Sequence, residues 1–194
     1  IPLHVSEDNL DVLALAGHKA LFGIPGAGAL IVRPELLLTP LIVGGTGSRS
    51  DLSEQPQEPP TRYEAGTLPT PAIAALGAGI ATAHDAAAAQ RMAGDAISEL
   101  DALPGVTVLA ARTEPRTPTF SFCVAGFSAE DVAMILAESY GITVRAGLHC
   151  APLIHKALST FPGGAVRASF SALSPPDATE RLVAAVTTIA AAGR

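Results

Sequence analysis

Between Gly44 and Pro71 lies a run of 28 residues, GGTGSRSDLSEQPQEPPTRYEAGTLPTP, in which apolar side chains follow neither the 3.6-residue period of a helix nor the two-residue period of a strand. Compact domains seldom carry a connection this long unless it is functional or disordered. The chain is therefore not one continuous succession of strands and helices. A short strand-bearing part precedes the run, and a longer part richer in helices follows it.

In the first part, Asp11 to Ala16 predicts a short buried strand ended by Gly17, and Ala29 to Val32 a second, stopped by Arg33-Pro34. The turn Gly23-Ile24-Pro25-Gly26-Ala27-Gly28 between them is too glycine-rich for regular structure. Strands with too few helices to cover them read as an incomplete domain. After the run, Thr70 predicts an N-cap with Pro71 opening the helix. Ile73, Leu76, Ile80, Ala83, Ala87, Ile97 and Leu100 then predict one long helix, bent at Gly94 and ending before Pro104-Gly105. Next come strands at 106–110 and 119–124. A helix capped by Ser128 and stopped by Gly141 follows, with Val132, Ile135, Leu136 and Tyr140 on one face. Further strands are expected at 142–145 and 166–170. A last helix opens at Ser174-Pro175-Pro176 and carries Leu182, Val186, Ile189 and Ala190 on its stripe. This second part is β-β-α-β-β-α, a compact α+β unit.

Several function classes drop out on charge and composition. The net charge is −6 with no basic tract, which argues against nucleic-acid binding through phosphates. The most apolar stretch, Ile73 to Ala89, is interrupted by His84 and Asp85 and is too short to span a membrane. Ile1 follows no basic leader, and the start on Ile reads as the inside of a longer protein. Two cysteines, Cys123 and Cys150, are too few for a secreted disulfide framework, so a reducing cytoplasm is expected. His149 and His155 make no zinc spacing, and no metal is expected. Gly26-x-Gly28 lacks the third glycine of a dinucleotide fingerprint, and there is no P-loop.

A lysine just after a buried strand, as in Gly17-His18-Lys19, would be partly desolvated, and a neutral amine is the nucleophile a carbonyl cofactor needs. On three residues alone, an exposed loop lysine is the simpler reading. The context is more specific. Gly23, Gly26 and Gly28 follow at once, Arg62-Tyr63-Glu64-Ala65-Gly66-Thr67 closes the long run, and Arg145-Ala146-Gly147-Leu148-His149-Cys150-Ala151-Pro152 and Val166-Arg167-Ala168-Ser169 come later. In this order the motifs resemble the class V aminotransferase family of pyridoxal-phosphate enzymes, most closely its cysteine desulfurase and selenocysteine lyase branch. The resemblance runs from about Leu10 to the last helix.

The resemblance implies an α/β plus α+β chain, the C-terminal half of a fold-type I pyridoxal-phosphate enzyme. Residues 1–100 would be the end of the large cofactor domain, with a dimer-interface loop and the long helix; residues 101–194 would be the small domain. Lys19 matches the lysine that bonds the cofactor aldehyde and later moves the α-proton, and His18 a ligand of the cofactor phosphate. Gly66 and Thr67 match the segment reaching the partner subunit's cofactor phosphate, which implies a homodimer. Arg145 and Arg167 match arginines beside the substrate carboxylate, a group that suits bidentate guanidinium recognition. Cys150 matches the nucleophile that takes sulfur from L-cysteine, becomes a persulfide and passes sulfur to an acceptor protein.

Each residue also has a plainer reading. Arg145 ends a strand, where a solvated arginine is common, and Arg167 could be an edge charge. A lone cysteine such as Cys150 is more often a small core residue, although a loop with cations nearby is where reactive thiolates sit. Cys123, in an apolar strand, is read as core. The sequence departs from the family at Ala16, where a hydroxyl is frequent, at the Pro25 shift, at Pro69 and at Ser174. The family's other half would supply the ring stacked on the cofactor and the acidic partner of its pyridine nitrogen, so weak cofactor binding by this chain is expected. Selenocysteine lyase, an amine-transferring enzyme, a non-catalytic assembly domain and a thiol hydrolase remain alternatives.

Overall fold

The structure is a computed structural model that describes residues 3–49, 51–82, 86–112 and 116–193. Ala83, His84 and Asp85, in the middle of the expected long helix, lie outside the described residues. The chain forms two compact units, Pro2–Ala83 and His84–Arg194.

In the first unit, β1 (Val12–Ala16) and β2 (Gly28–Val32) pair antiparallel, from Val12↔Val32 to Ala16↔Gly28. The expected burial of β1 does not occur: Val12 is 42% exposed, and on the partner strand β2 Leu30 is 53% exposed. The physical reason is the position of α1 (Thr70–Ala81), which packs on the turn joining the strands instead of on their faces. Its buried residues are Ala72, Leu76 and Gly79. A Cβ on Gly79 would collide with the Leu21 carbonyl oxygen, and one on Gly17 would lie 3.2 Å from Leu76 Cδ1. Absent side chains let helix and turn backbones touch. Thr70 is not the N-cap. It is the first helical residue, behind Pro69, and its hydroxyl donates to the Leu68 carbonyl (3.4 Å).

That close approach has an opposite consequence at two neighbouring glycines. Gly77→Ala meets nothing within 4 Å and should stabilise the helix by about 0.5–1 kcal/mol through propensity alone. Gly79→Ala gains the same propensity but must displace backbone, and should cost about 1–3 kcal/mol net. Denaturant midpoints of the two variants should move in opposite directions; equal shifts would contradict the packing described.

The second unit comprises α2 (Ala86–Asp101), β3 (Val106–Leu109), β4 (Thr119–Val124), α3 (Ala129–Tyr140), α4 (Pro152–Ala157), β5 (Val166–Ser169) and α5 (Ala178–Ala192). The sheet is antiparallel in the order β3-β4-β5. Strict alternation along β4 buries Phe120, Phe122 and Val124 on one face. With Val106, Val108, Val166 and Ala168 they meet α2, α3 and α5 in a single core. Phe120 stacks on Phe170 at 6.3 Å between ring centroids.

The expected long helix is thus two helices, one in each unit. Its apparent stripe ran together two different faces: Ile97 and Leu100 are buried, while Ile73 and Ile80 are exposed. Helix α2 continues unbroken through Gly94. It buries Ala89, Ala93 and Ala96 in the core of the unit His84–Arg194. The ends of α3 are as read: Ser128 Oγ accepts from the Asp131 N–H (3.0 Å), Asp131 returns a bond to Ser128, and Gly141 stops the helix at φ +62. Helix α5 starts at Ala178, because Ser174 Oγ instead accepts from the Ser171 N–H (3.0 Å) in a preceding turn. Its stripe of Leu182, Val186, Ile189 and Ala190 is fully in the core.

The other face of the sheet is polar and carries Thr119, Ser121, Cys123 and Arg167. Cys123 is therefore not a core residue. It is half-buried on this polar face, with Sγ 4.0 Å from the Gly164 carbonyl, and burial pushes its thiol pKa up. Residues 142–145 form no strand. A single bridge, Arg145↔Arg167, is made there, and Gly147 at φ +94 turns the chain away. Among the described residues no single helix is long and apolar enough to cross a membrane.

Candidate active site

Arg145 and Arg167 face each other across the bridge through two backbone hydrogen bonds, 3.1 and 2.7 Å. A second pair of bonds joins Gly147 to Ala165, each 3.1 Å. These rungs clamp the base of the turn 147–151, in which His149 (φ +54) and Cys150 (φ +59) are both left-handed. Non-glycine residues take this conformation at a cost, and persist in it where surrounding contacts over-determine it. Here the Ala151 N–H donates to the Leu148 carbonyl (2.8 Å) and His149 Nε2 donates to the Arg145 carbonyl (3.1 Å). Arg145 Nη2 in turn donates to Cys150 Sγ at 3.2 Å. The thiol is exposed.

Neither guanidinium has a carboxylate partner among the described residues. Arg167 Nε is enclosed by protein and donates to no described atom. An enclosed, unpaired charged donor is costly unless a ligand completes it, and two arginines opposite one another fit a carboxylate. His149 has its pKa lowered, first by burial and then by the positive charges of Arg167, His155 and Arg145, against a raising effect of its bond to the Arg145 carbonyl. The positive charge beside the thiol is therefore carried by the two guanidinium groups, and the lowered pKa favours a neutral His149 ring.

In the first unit, Gly17 is buried while His18 and Lys19 are exposed on the turn after β1. The expected desolvation of Lys19 is absent, because β1 itself is open to solvent. The amine is accessible and has no acidic partner among the described residues, which suits attachment to a carbonyl cofactor. Gly66 and Thr67 behave differently from each other. The Gly66 N–H is spent on the Gly45 carbonyl (2.7 Å), so it is not free to hold a phosphate, whereas Thr67 is exposed.

The long run is not slack. Tyr63 OH accepts from the Leu38 N–H (2.9 Å), Gln55 Nε2 donates to the Arg62 carbonyl (2.7 Å), Gln55 Oε1 accepts from Gly44 (3.2 Å), and Arg62 pairs with Gln57. Sequence reasoning missed Gln55 and Tyr63 as the pins of this loop. No periodic signal marks them, because each acts across a gap of 7 to 25 residues.

The family profile described as aminotransferase class-V matches residues 1–182. The chain belongs to the class V aminotransferases. Members of this family are pyridoxal-phosphate enzymes. The chain is 31% identical to a probable cysteine desulfurase of Mycobacterium leprae over 95% of its own length and 46% of that protein, and 34% identical to one of Halobacterium salinarum over 94% and 45%. Among solved structures, an apo cysteine desulfurase from Thermococcus onnurineus superposes with a TM-score of 0.81 at 30% identity, over 97% of this chain and 49% of that one. CsdA, a cysteine desulfurase of Escherichia coli, gives 0.79 at 28%, over 97% and 48%. The chain spans about half the length of the relatives it matches, and its mixed architecture is that part of a fold-type I enzyme.

Proposed function

We propose that the protein containing this chain removes sulfur from L-cysteine with pyridoxal phosphate, leaving alanine and a persulfide on Cys150. The observation that carries this is the contact of the Cys150 thiol with Arg145, beside an Arg167 whose enclosed Nε has no partner. Transamination needs a carboxylate clamp but has no use for an exposed thiol at its edge.

When bound, pyridoxal phosphate supplies an electron sink for bonds at the amino-acid α-carbon. Lys19 would hold the cofactor at its aldehyde, and its amine would move the substrate α-proton. His18 and the Thr67 hydroxyl are the phosphate donors; the Gly66 N–H contributes only by fixing the loop. Arg145 and Arg167 bind and orient the substrate carboxylate. The Cys150 thiolate forms a bond to the substrate sulfur as the carbon–sulfur bond breaks; the electron pair stays on carbon, which takes a proton to become alanine. The first unit is the end of the cofactor domain and the second the small domain. A homodimer, in which Thr67 serves the other subunit's site, a protein acceptor of the persulfide sulfur and a cytoplasmic setting complete the proposal; the last is supported by two unpaired cysteines.

Borohydride reduction of the cofactor-loaded protein should fix the cofactor on the peptide containing Lys19. Labelling of another lysine would remove the basis of this assignment.

A further inference from the structure

His155 is the one fully buried ionisable side chain among the described residues, 3% exposed on the short helix α4. Its carbonyl accepts the N–H groups of Thr160 (2.9 Å) and Phe161 (3.1 Å). Its Nδ1 lies 2.7 Å from Thr160 Oγ1. The Thr160 hydroxyl also lies 3.4 Å from the His155 carbonyl, so it is held to both the ring and the backbone of His155. On the other side the ring meets that of His149, 5.4 Å between centroids. The Thr160 carbonyl accepts from the Gly164 N–H (2.6 Å), and Gly164 leads directly into Ala165, which pairs with Gly147 at the base of the Cys150 turn. A Cβ on Gly164 would collide with the Gly147 backbone.

We propose that His155, clipped to Thr160, is a positioning residue for the Cys150 thiol: its buried ring backs the His149 ring and so holds the left-handed pair His149–Cys150 in the geometry that presents Sγ to Arg145. The inference rests on the reading of Cys150 as the nucleophile. A buried imidazole is an expensive way to fill space. Its bonds tie α4 to Thr160 and Phe161, and Thr160 in turn holds Gly164, next to the Ala165 that pairs with Gly147. The α4 helix is too short to hold itself, and without the clip the two strained residues can relax and Sγ can leave the guanidinium.

The test measures alkylation of Cys150 in the whole protein by iodoacetate and by iodoacetamide, read by peptide mapping with Cys123 as an internal reference. Both reagents consume the same thiolate, so their rate ratio cancels ionisation. An anionic reagent is drawn to a thiol held beside a guanidinium. In the wild type the iodoacetate/iodoacetamide ratio should be higher at Cys150 than at Cys123. Thr160→Val should lower the Cys150 ratio at least threefold, and Thr160→Ser, which keeps the hydroxyl, should restore it. A folded Thr160→Val chain with the wild-type ratio overturns the proposal. Should Thr160→Val not fold, His155→Asn decides: it keeps a hydrogen-bond partner for Thr160 but loses the ring behind His149, so the ratio should fall, and an unchanged ratio is equally fatal. The readout uses neither cofactor nor substrate. A lowered ratio together with a Cys150→Ser protein that still releases sulfur would uphold the positioning role and refute the desulfurase reading.

Discussion

Replacing Cys150 with serine is expected to abolish sulfide release from L-cysteine, by about 10³-fold or more, when the protein is assayed as its own gene produces it. The corresponding loss of transition-state stabilisation is about 4 kcal/mol. Activating the substrate at its α-carbon does not by itself remove sulfur; something must accept it, and the exposed thiol held by Arg145 at 3.2 Å is placed to do so. Serine preserves the size of the side chain and the left-handed turn but is a far weaker nucleophile toward sulfur. Cofactor absorbance should therefore be unchanged, because Lys19 and the phosphate donors lie on other elements. Cys123→Ser provides the contrast. Its side chain lies half-buried near the Gly164 carbonyl, outside the helix-covered core, so sulfur release should persist. If Cys150→Ser retains wild-type sulfide release, selenocysteine lyase or amine transfer becomes the better account.

Arg167→Ala is expected to be the next most damaging change. A carboxylate held by a guanidinium accepts two charge-assisted hydrogen bonds, each contributing about 1.5–3 kcal/mol. Their joint loss corresponds to about 10²–10⁴-fold in kcat/KM, and most of it should be seen in KM, since the carboxylate is bound before and during reaction. Arg167→Lys restores the charge but not the fork, and should recover only part of the loss. Stability should move the other way: the enclosed Nε has no partner among the described residues, so removing it relieves a desolvated donor. A KM within twofold of wild type in Arg167→Ala would remove Arg167 from the substrate site.

The local elements were legible where a residue acts within its own turn of chain. Ser128 and Asp131 cap α3 and Gly141 ends it, because capping joins groups three or four residues apart. The alternation of Phe120, Phe122 and Val124 gave the buried face of β4 directly. The reading failed where periodicity was blind to what a face meets. An alanine-rich stretch from Ile73 to Leu100 keeps helical spacing through a unit boundary, since alanine fits both a buried and an exposed face. Cys123 was read as core because its strand is apolar, yet its odd-numbered position faces the polar side.

The motifs by themselves determined which family the chain belongs to, which residue types are available, and that Lys19, Arg145, Cys150 and Arg167 deserve separate roles. Only the tertiary structure decided how three of the second unit's residues work together. Arg145 meets Arg167 through a bridge between segments 22 residues apart, and Arg145 reaches Cys150 because two left-handed residues fold the turn back. It also decided that the Gly66 N–H is already spent on Gly45, and that His155 is buried under His149. The reason is physical: propensity and capping act over one turn of chain, whereas which donors remain unpaired depends on everything packed around them.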